Sequence, residues 1–187
     1  SLDGSEPSRE HDGVIPIHTT RTVRARVTRP GYFSPHSQTH SYLFLEDVLA
    51  ARNMNQTIVR DPRYADRMMS GLTDLPTISI NLPELPDDWN EREGSVEVFL
   101  PHTQKAIQAN AGVNRFGGAW THFGKKNYRL KFRPEYGQRK LKVPLFKGFE
   151  NGVLPMDAFD EVDLRGGGHD MNSRGFYMSA RFTEDTM

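Results

Sequence analysis

Residues 128–133 read YRLKFR, and this strict alternation of apolar and cationic side chains constrains the fold more than any other stretch. Successive side chains of a β-strand point to opposite faces, so the pattern predicts a strand with one apolar and one cationic face. Residues 134–137 supply a turn, and residues 140–146 are predicted to form a second strand or return segment. The result would be a basic sheet edge or hairpin that suits a phosphate-bearing ligand. A solvated strand face without a function is the alternative interpretation.

The charge of the chain is neutral overall but segregated along the sequence. Lysine plus arginine and aspartate plus glutamate both number 24, so no overall field favours a nucleic acid or an acidic membrane as a partner. Residues 125–147 are nevertheless basic, whereas residues 150–163 are acidic. Charges interact within a Debye length of roughly 8 Å at physiological salt. A local anion site is therefore compatible with overall neutrality.

The composition excludes several classes of site. The chain contains no cysteine, which excludes disulfides, thiolate metal sites and thiol nucleophiles. No apolar run approaches the roughly 20 residues of a membrane helix, so no membrane partner is predicted. The histidines lack a metal-ligand spacing such as HExxH, and no metal site is assigned. Neither a GxSxG elbow nor a Walker A loop occurs.

Short strands are predicted for the first 45 residues. Residues 14–17 form an apolar run around Pro16, which predicts an edge strand because proline cannot donate to a sheet. Residues 23–27 alternate valine or alanine with arginine, and residues 38–45 are predicted to form the last strand of this part. Three or four short strands at nearly regular spacing are typical of part of a β-sandwich.

A connector with helical pieces is predicted next. One piece is expected near residues 47–52. A second is expected after Asp61, which is predicted to cap a helix that begins at Pro62 and ends at Gly71. Further strands are predicted beyond the connector, over residues 76–82, 93–100 and, as strand or irregular structure, 107–116.

The sequence text KKNYRLKFRPEYG, followed by LKVPLF and then FDEVDLRGGGHD, resembles the amino-terminal part of the CotH kinase-like domain. The resemblance covers about residues 75–170 and rests on several motifs in the family's order. The segment NQTIVRDPRYADRMMSGLTDLPTISI adds to it, because secreted CotH-type proteins often carry similar text before a strand. The resemblance implies a divergent kinase-like α/β fold. Characterised members of the family are ATP-dependent protein kinases of spore coats and secreted proteins.

A second resemblance covers the start of the chain. The segments LDGSEPS, TTRTVRARVTRPGYFSP and THSYLF are similar to the small sandwich module at the end of chitobiase and hexosaminidase enzymes, which is accessory in that family. The predicted fold is therefore α+β: a partial β-sandwich, immunoglobulin- or fibronectin-like, precedes the β-rich amino-terminal part of an atypical kinase-like domain. The predicted boundaries are 1–45 for the sandwich, 46–74 for a linker with short helices and 75–187 for the kinase-like part.

Candidate nucleotide-binding residues follow from the CotH resemblance. Two glycines after Arg115 match a glycine-rich turn of the family, and such a turn lets backbone amides approach a phosphate. Paired lysines of the family correspond to Lys125 and Lys126, and a kinase-like site needs a cation against the nucleotide phosphates. The nucleotide-binding residues assigned in this way are Lys126, Arg129, Arg115, Tyr128, Lys131, Arg165 and Asp170.

Each of these assignments has a structural alternative. Lys126 and Arg129 could equally form structural ion pairs, and Arg165 could pair with the acidic stretch instead of a phosphate. Asp170 is suited to capping a helix as well as to orienting a ligand. The two glycines after Arg115 are also ordinary turn chemistry.

The CotH resemblance implies a bacterial extracellular or cell-surface protein that transfers phosphate from ATP to serine or threonine of a protein substrate. ATP and Mg²⁺, or another divalent cation, would be its cofactors. The family's acidic residues for metal binding and catalysis lie beyond the matched segment. The chain is thus expected to be a fragment that is inactive without the missing carboxy-terminal half. A noncatalytic cell-surface or matrix interaction module, which binds polyanions through residues 125–147, is the alternative.

Overall fold

The computed structural model describes residues 13–27, 29–32, 37–52, 54–101, 103, 106–117, 126–146 and 156–165. This part of the chain is rich in β-structure and has few helices. The chain divides into two compact units. The first comprises residues 1–81 and 95–108, and the second comprises residues 82–94 and 109–187.

The described part contains nine strands, three short α-helices and one turn of 3-10 helix at Pro134–Tyr136. The strands are β1 (Arg21–Ala25), β2 (Gln38–Tyr42), β3 (Thr77–Asn81), β4 (Arg92–Phe99), β5 (Ala106–Arg115), β6 (Tyr128–Lys131), β7 (Leu141–Lys142), β8 (Ala158–Phe159) and β9 (Glu161–Leu164). The α-helices are α1 (Leu45–Ala50), α2 (Gln56–Val59) and α3 (Ala65–Thr73).

A five-stranded antiparallel sheet dominates the fold, with the strand order β3-β4-β5-β6-β9. Strands β1 and β2 pair with each other in a separate two-stranded sheet, and so do β7 and β8. This β-rich arrangement is compatible with a partial β-sandwich.

The core of the second unit lies on one face of the sheet. Val113 of β5 lies opposite Leu130 of β6, and Leu130 lies opposite Val162 of β9, so these three side chains share a face. Val113 and Leu130 are fully buried, as the apolar half of the YRLKFR alternation predicts. Phe132 continues that half and is also buried.

Strand β4 is buried on both faces. Val96 and Val98 are fully buried in the first unit, but Glu97 between them is only 1% exposed. Its carboxylate accepts a hydrogen bond from the hydroxyl of Ser41 in β2. Ser41 Oγ also lies 2.9 Å from Ser79 Oγ. The Ser41 hydroxyl gives the buried carboxylate a hydrogen-bond partner, as a buried polar group requires.

The prediction that the basic strand forms a sheet edge or one arm of a hairpin is wrong. Strand β6 is an interior strand between β5 and β9, and β7 pairs with β8 instead of β6. The turn at residues 134–137 exists, but Gly137 has a φ of 123° and leads the chain away from β6. Strand β9, which belongs to the acidic segment, pairs with β6 where residues 140–146 were predicted to pair.

Several boundaries in the first unit also differ from the predictions. Residues 14–17 form no strand, and β1 ends at Ala25, before the end of the predicted alternation. Asp61 caps only a turn, because its carboxylate accepts from the backbone N–H of Arg63 while α3 begins at Ala65. Gly71 lies inside α3, which continues to Thr73.

The two helical pieces predicted between the strands are confirmed as α1 and α3, whereas α2 was not predicted. The predicted strands beyond them are confirmed as β3, β4 and β5. No helix among the described residues has the length and apolar character needed to cross a membrane.

Shortening Leu130 to alanine is expected to destabilise the fold by about 2–5 kcal/mol, because it leaves a cavity in the sheet core. Leu75→Ala is the matched control, since Leu75 is 66% exposed whereas Leu130 is fully buried. Urea unfolding followed by circular dichroism measures both. Equal unfolding free energies for the two variants would contradict the described core.

Candidate functional site

A cluster of four side chains, Glu91, Lys131, Arg133 and Tyr136, lies at the end of β6 and the turn after it; we call it the Glu91 cluster. The Glu91 carboxylate accepts a hydrogen bond of 2.7 Å from Lys131 Nζ and another of 2.7 Å from the Tyr136 hydroxyl. Arg133 Nη1 lies 3.3 Å from the same carboxylate. One carboxylate thus meets three donors, two of them charged.

Gly112 makes room for this carboxylate. It lies opposite Lys131 in the β5–β6 ladder, on the face from which Glu91 approaches. A Cβ at Gly112 would lie 2.1 Å from Glu91 Oε1 and 2.6 Å from Cδ. No side chain other than hydrogen fits at this position while Glu91 keeps its place.

The environment of Glu91 favours its ionised form. The side chains of Glu91 and Lys131 are each only 18% exposed, and burial alone would raise the pKa of Glu91. The hydrogen bonds from Lys131 and Tyr136, together with the charges of Lys131 and Arg133, outweigh burial and lower that pKa. Burial and the hydrogen bond to Glu91 raise the pKa of Tyr136, so its hydroxyl remains a donor.

Arg129 forms an ion pair with the neighbouring strand. Its Nε donates to Asp163 Oδ1 at 2.6 Å and its Nη2 donates to Asp163 Oδ2 at 2.8 Å, a bidentate contact. Glu161 Oε2 lies 3.6 Å away, and the guanidinium lies 5.1 Å from the centroid of the Phe116 ring. The structural ion pair, one of the two interpretations of Arg129, is therefore present.

The pairing between basic and acidic segments extends past β6. Lys140 Nζ donates to Asp160 Oδ2 at 2.9 Å, just before β9 begins. The two segments that are segregated in the sequence thus meet in space, and opposite charges at cross-strand positions support the register. The positive charges of the basic segment are thus balanced locally by carboxylates of the acidic segment.

Arg115 lies at the end of β5 and contacts the loop before β4. Its Nη1 donates to the carbonyl oxygen of Asp87 at 2.5 Å, and its guanidinium lies 5.7 Å from the centroid of the Trp89 ring. Asn114 beside it is buried; its Nδ2 donates to the Arg115 carbonyl at 2.8 Å, and its Oδ1 has no hydrogen-bond partner among the described residues.

The structure brings some of the predicted site residues together. Arg129 and Lys131 share the cationic face of β6, two residues apart. Tyr128 shares the opposite face with Arg115, its direct neighbour in the β5–β6 ladder. The remaining assignments are less informative: Lys126 is half-buried just before β6, Arg165 is exposed at the end of β9, and both Lys125 and Asp170 lie outside the described residues.

Sequence reasoning missed Glu91, Trp89 and Asp163 as members of the site. Glu91 and Trp89 lie in a polar loop whose composition gives no periodic signal. A glycine inside the otherwise regular strand β5 was the available signal for Gly112, because such a glycine marks a close approach by another group.

Among the residues that the structure describes, no group of three or more histidine, aspartate or glutamate side chains could hold a metal ion. Comparisons with protein-family models, with curated proteins and with solved structures find no match to this chain.

Replacing Gly112 with alanine is expected to destabilise the protein by about 1–3 kcal/mol, because the new methyl group must displace the Glu91 carboxylate. In a Glu91→Ala background the same replacement should cost less than about 0.5 kcal/mol, since the three atoms nearest to the added Cβ all belong to Glu91. Urea unfolding of the four proteins in this cycle measures both costs. The same cost in both backgrounds would show that Glu91 does not occupy this space.

Proposed function

We propose that the chain carries the amino-terminal, nucleotide-binding part of a secreted CotH-type protein kinase of bacteria. The full reaction would transfer the γ-phosphate of ATP to serine or threonine hydroxyls of extracellular or coat proteins. One observation carries this proposal beyond the resemblance in sequence: the 2.7 Å ion pair between Lys131 and Glu91 on an antiparallel sheet.

A lysine–glutamate pair is what a kinase-like nucleotide site requires. In protein kinases a lysine on a strand contacts the phosphates of ATP, and a glutamate must hold that lysine in place. Lys131 lies on an interior strand, and its side chain is held at 18% exposure by Glu91. An ammonium group has three donors, so Lys131 can hydrogen-bond Glu91 and a phosphate oxygen at the same time.

The other cations of β6 are less suited to the phosphates. Both carboxylate oxygens of Asp163 hold Arg129, so a phosphate would have to compete with a bidentate pair. Arg129 is therefore assigned a positioning role that fixes β6 against β9. Arg133 lies 3.3 Å from Glu91 and is more exposed, with 42% of its side chain accessible, so it is a second candidate for a phosphate contact.

The described residues fit part of what the resemblance implies. They offer cations to the phosphates of ATP, but no group of three acidic or histidine side chains for Mg²⁺. In the family the metal-binding carboxylates lie beyond the segment that this chain resembles. The proposal for the described part is therefore limited to nucleotide binding, and phosphate transfer needs carboxylates from elsewhere in the whole protein.

The alternative proposal is a noncatalytic cell-surface or matrix module that binds polyanions through residues 125–147. Exposed cations at Arg139 and Lys142 favour it. The ion pairs of Arg129, Lys131 and Lys140 weigh against it, because these cations already contact carboxylates. A diffuse polyanion surface needs uncompensated charge.

Lys131→Met is expected to weaken ATP binding at least tenfold, because it removes one charge-assisted hydrogen bond to a phosphate. Lys140→Met is the matched control: it also removes a cation from an ion pair, but one that lies outside the Glu91 cluster. Isothermal titration of ATP into the native chain and the two variants, each checked for folding by circular dichroism, measures the effect.

The two proposals predict different results in this experiment. A nucleotide site gives a large effect of Lys131→Met and none of Lys140→Met. A polyanion module gives similar small losses for both variants, and binds long-chain polyphosphate more tightly than ATP. A native chain that binds neither ATP nor inorganic triphosphate would contradict the nucleotide proposal.

A further inference from the structure

The guanidinium of Arg129 lies on the same face of the sheet as Lys131. The two residues are two positions apart on β6, so their side chains share a face and start roughly 7 Å apart along the strand. Glu161 of β9 connects them: it lies opposite Lys131 in the ladder, and its carboxylate is 3.6 Å from Arg129 Nε. One small ligand can therefore reach both side chains.

Asp163 holds this guanidinium by its edge. Arg129 Nε and Nη2 donate to the two oxygens of the carboxylate at 2.6 and 2.8 Å. A bidentate contact of this kind restrains the plane of the guanidinium as well as its position. It uses N–H groups at the edge of the guanidinium, whereas stacking on rings uses the flat face. The ion pair with Asp163 is thus compatible with a flat ligand on Arg129.

Phe116 restrains the guanidinium from a second direction. The backbone N–H of Phe116 donates to the Asn127 carbonyl at 3.2 Å, which continues the β5–β6 ladder past its last pair. The Phe116 ring centroid lies 5.1 Å from the Arg129 guanidinium, a cation–π distance. The guanidinium is thus fixed by two partners before any ligand arrives, which reduces the entropy lost on binding. About a third of the Arg129 side chain, 35%, remains accessible.

The charges around the two cations differ. Arg129 is one cation beside two carboxylates, Asp163 and Glu161. In the Glu91 cluster two cations meet the Glu91 carboxylate, and Glu135 adds a second carboxylate 3.4 Å from one of them. Because the excess negative charge at Arg129 repels anions, phosphates are favoured at the Glu91 cluster. A neutral group is favoured at Arg129.

A nucleotide has both parts that this arrangement accepts, a neutral flat base and anionic phosphates. Bases stack on the planes of arginine guanidinium groups, and such stacking needs only the flat face of the base. We propose that Arg129 is the stacking platform for the base of a purine nucleotide whose phosphates reach Lys131. This inference rests on the proposed nucleotide-binding function and identifies the side chain that holds the base.

Arg129→Lys separates the flat face from the charge, because lysine keeps the cation beside Asp163 but has no planar group. This variant is expected to bind ATP about tenfold more weakly in isothermal titration and to retain binding of inorganic triphosphate, which has no base. Arg63→Lys is the matched control, since Arg63 also makes a bidentate pair, with Asp61, and lies 5.3 Å from the centroid of the Tyr64 ring. It should leave ATP binding unchanged.

A second measurement needs no variant. Nuclear Overhauser spectra of the native 187-residue chain with ATP are expected to connect the H2 and H8 protons of adenine with the side chain of Arg129. ATP that binds without any such contact to Arg129 would overturn the platform.

The outcomes distinguish this inference from the function on which it rests. Unchanged ATP affinity in Arg129→Lys, together with a loss in Lys131→Met, would overturn the platform and retain the nucleotide site. Equal losses of ATP and triphosphate affinity in Arg129→Lys would also overturn it, since stacking cannot affect a ligand without a base. A native chain that binds neither ATP nor triphosphate would contradict the proposed function, and this inference with it.

Discussion

The contact of the Glu91 carboxylate with Lys131 and Tyr136 is the interaction on which the second unit depends. It joins the loop before β4 to strand β6 and to the turn after β6, across Gly112 of β5. Four separate pieces of the unit therefore meet at one ionised group. A carboxylate in a half-buried position needs such partners, because burial without them opposes its charge.

The same principle explains why β6 is an interior strand. Its apolar face packs in the core through Leu130, and its cationic face finds carboxylates on both sides, Glu91 from the loop and Asp163 from β9. At the edge of the sheet, β6 would have exposed these cations to water. Ion pairs at exposed positions contribute little each, so their effect here is to select the partner strand and register, while the buried face supplies most of the stability.

The sequence predicted local structure well wherever one pattern sufficed. The YRLKFR alternation predicted a strand with a buried Leu130, and the connector between the two strand-rich parts was predicted to contain helical pieces, two of which are α1 and α3. The partner of β6 could not be predicted in this way, because pairing depends on the distant acidic segment that became β9. Asp61 failed as a helix cap since its carboxylate bonds locally to Arg63, and Gly71 failed as a stop since no steric reason forces a helix to end at glycine.

Only part of the candidate site could be predicted from the sequence, because contacts between distant segments depend on the fold. Lys131 and Arg129 follow from the charge pattern, but the charge pattern does not reveal which cation is engaged bidentately by Asp163 and which is held by Glu91. Glu91 lies in a loop without periodicity, and only the fold brings it to the end of β6. The class of ligand is a proposal that comes from the resemblance to CotH-type kinases, and the contacts of the described residues support the choice of Lys131 within that proposal.

The pKa of the Glu91 carboxyl reports whether Lys131 holds this group in its ionised form. Carbon-detected nuclear magnetic resonance of the glutamate side chains, with Glu91→Gln to assign the signal, follows this carboxyl through an acid titration of the folded protein. We expect a pKa below the ordinary glutamate value of about 4.3, and a shift back toward that value in Lys131→Met. A pKa at or above the ordinary value, unchanged by Lys131→Met, would contradict the claim that Lys131 holds an ionised Glu91 against the sheet.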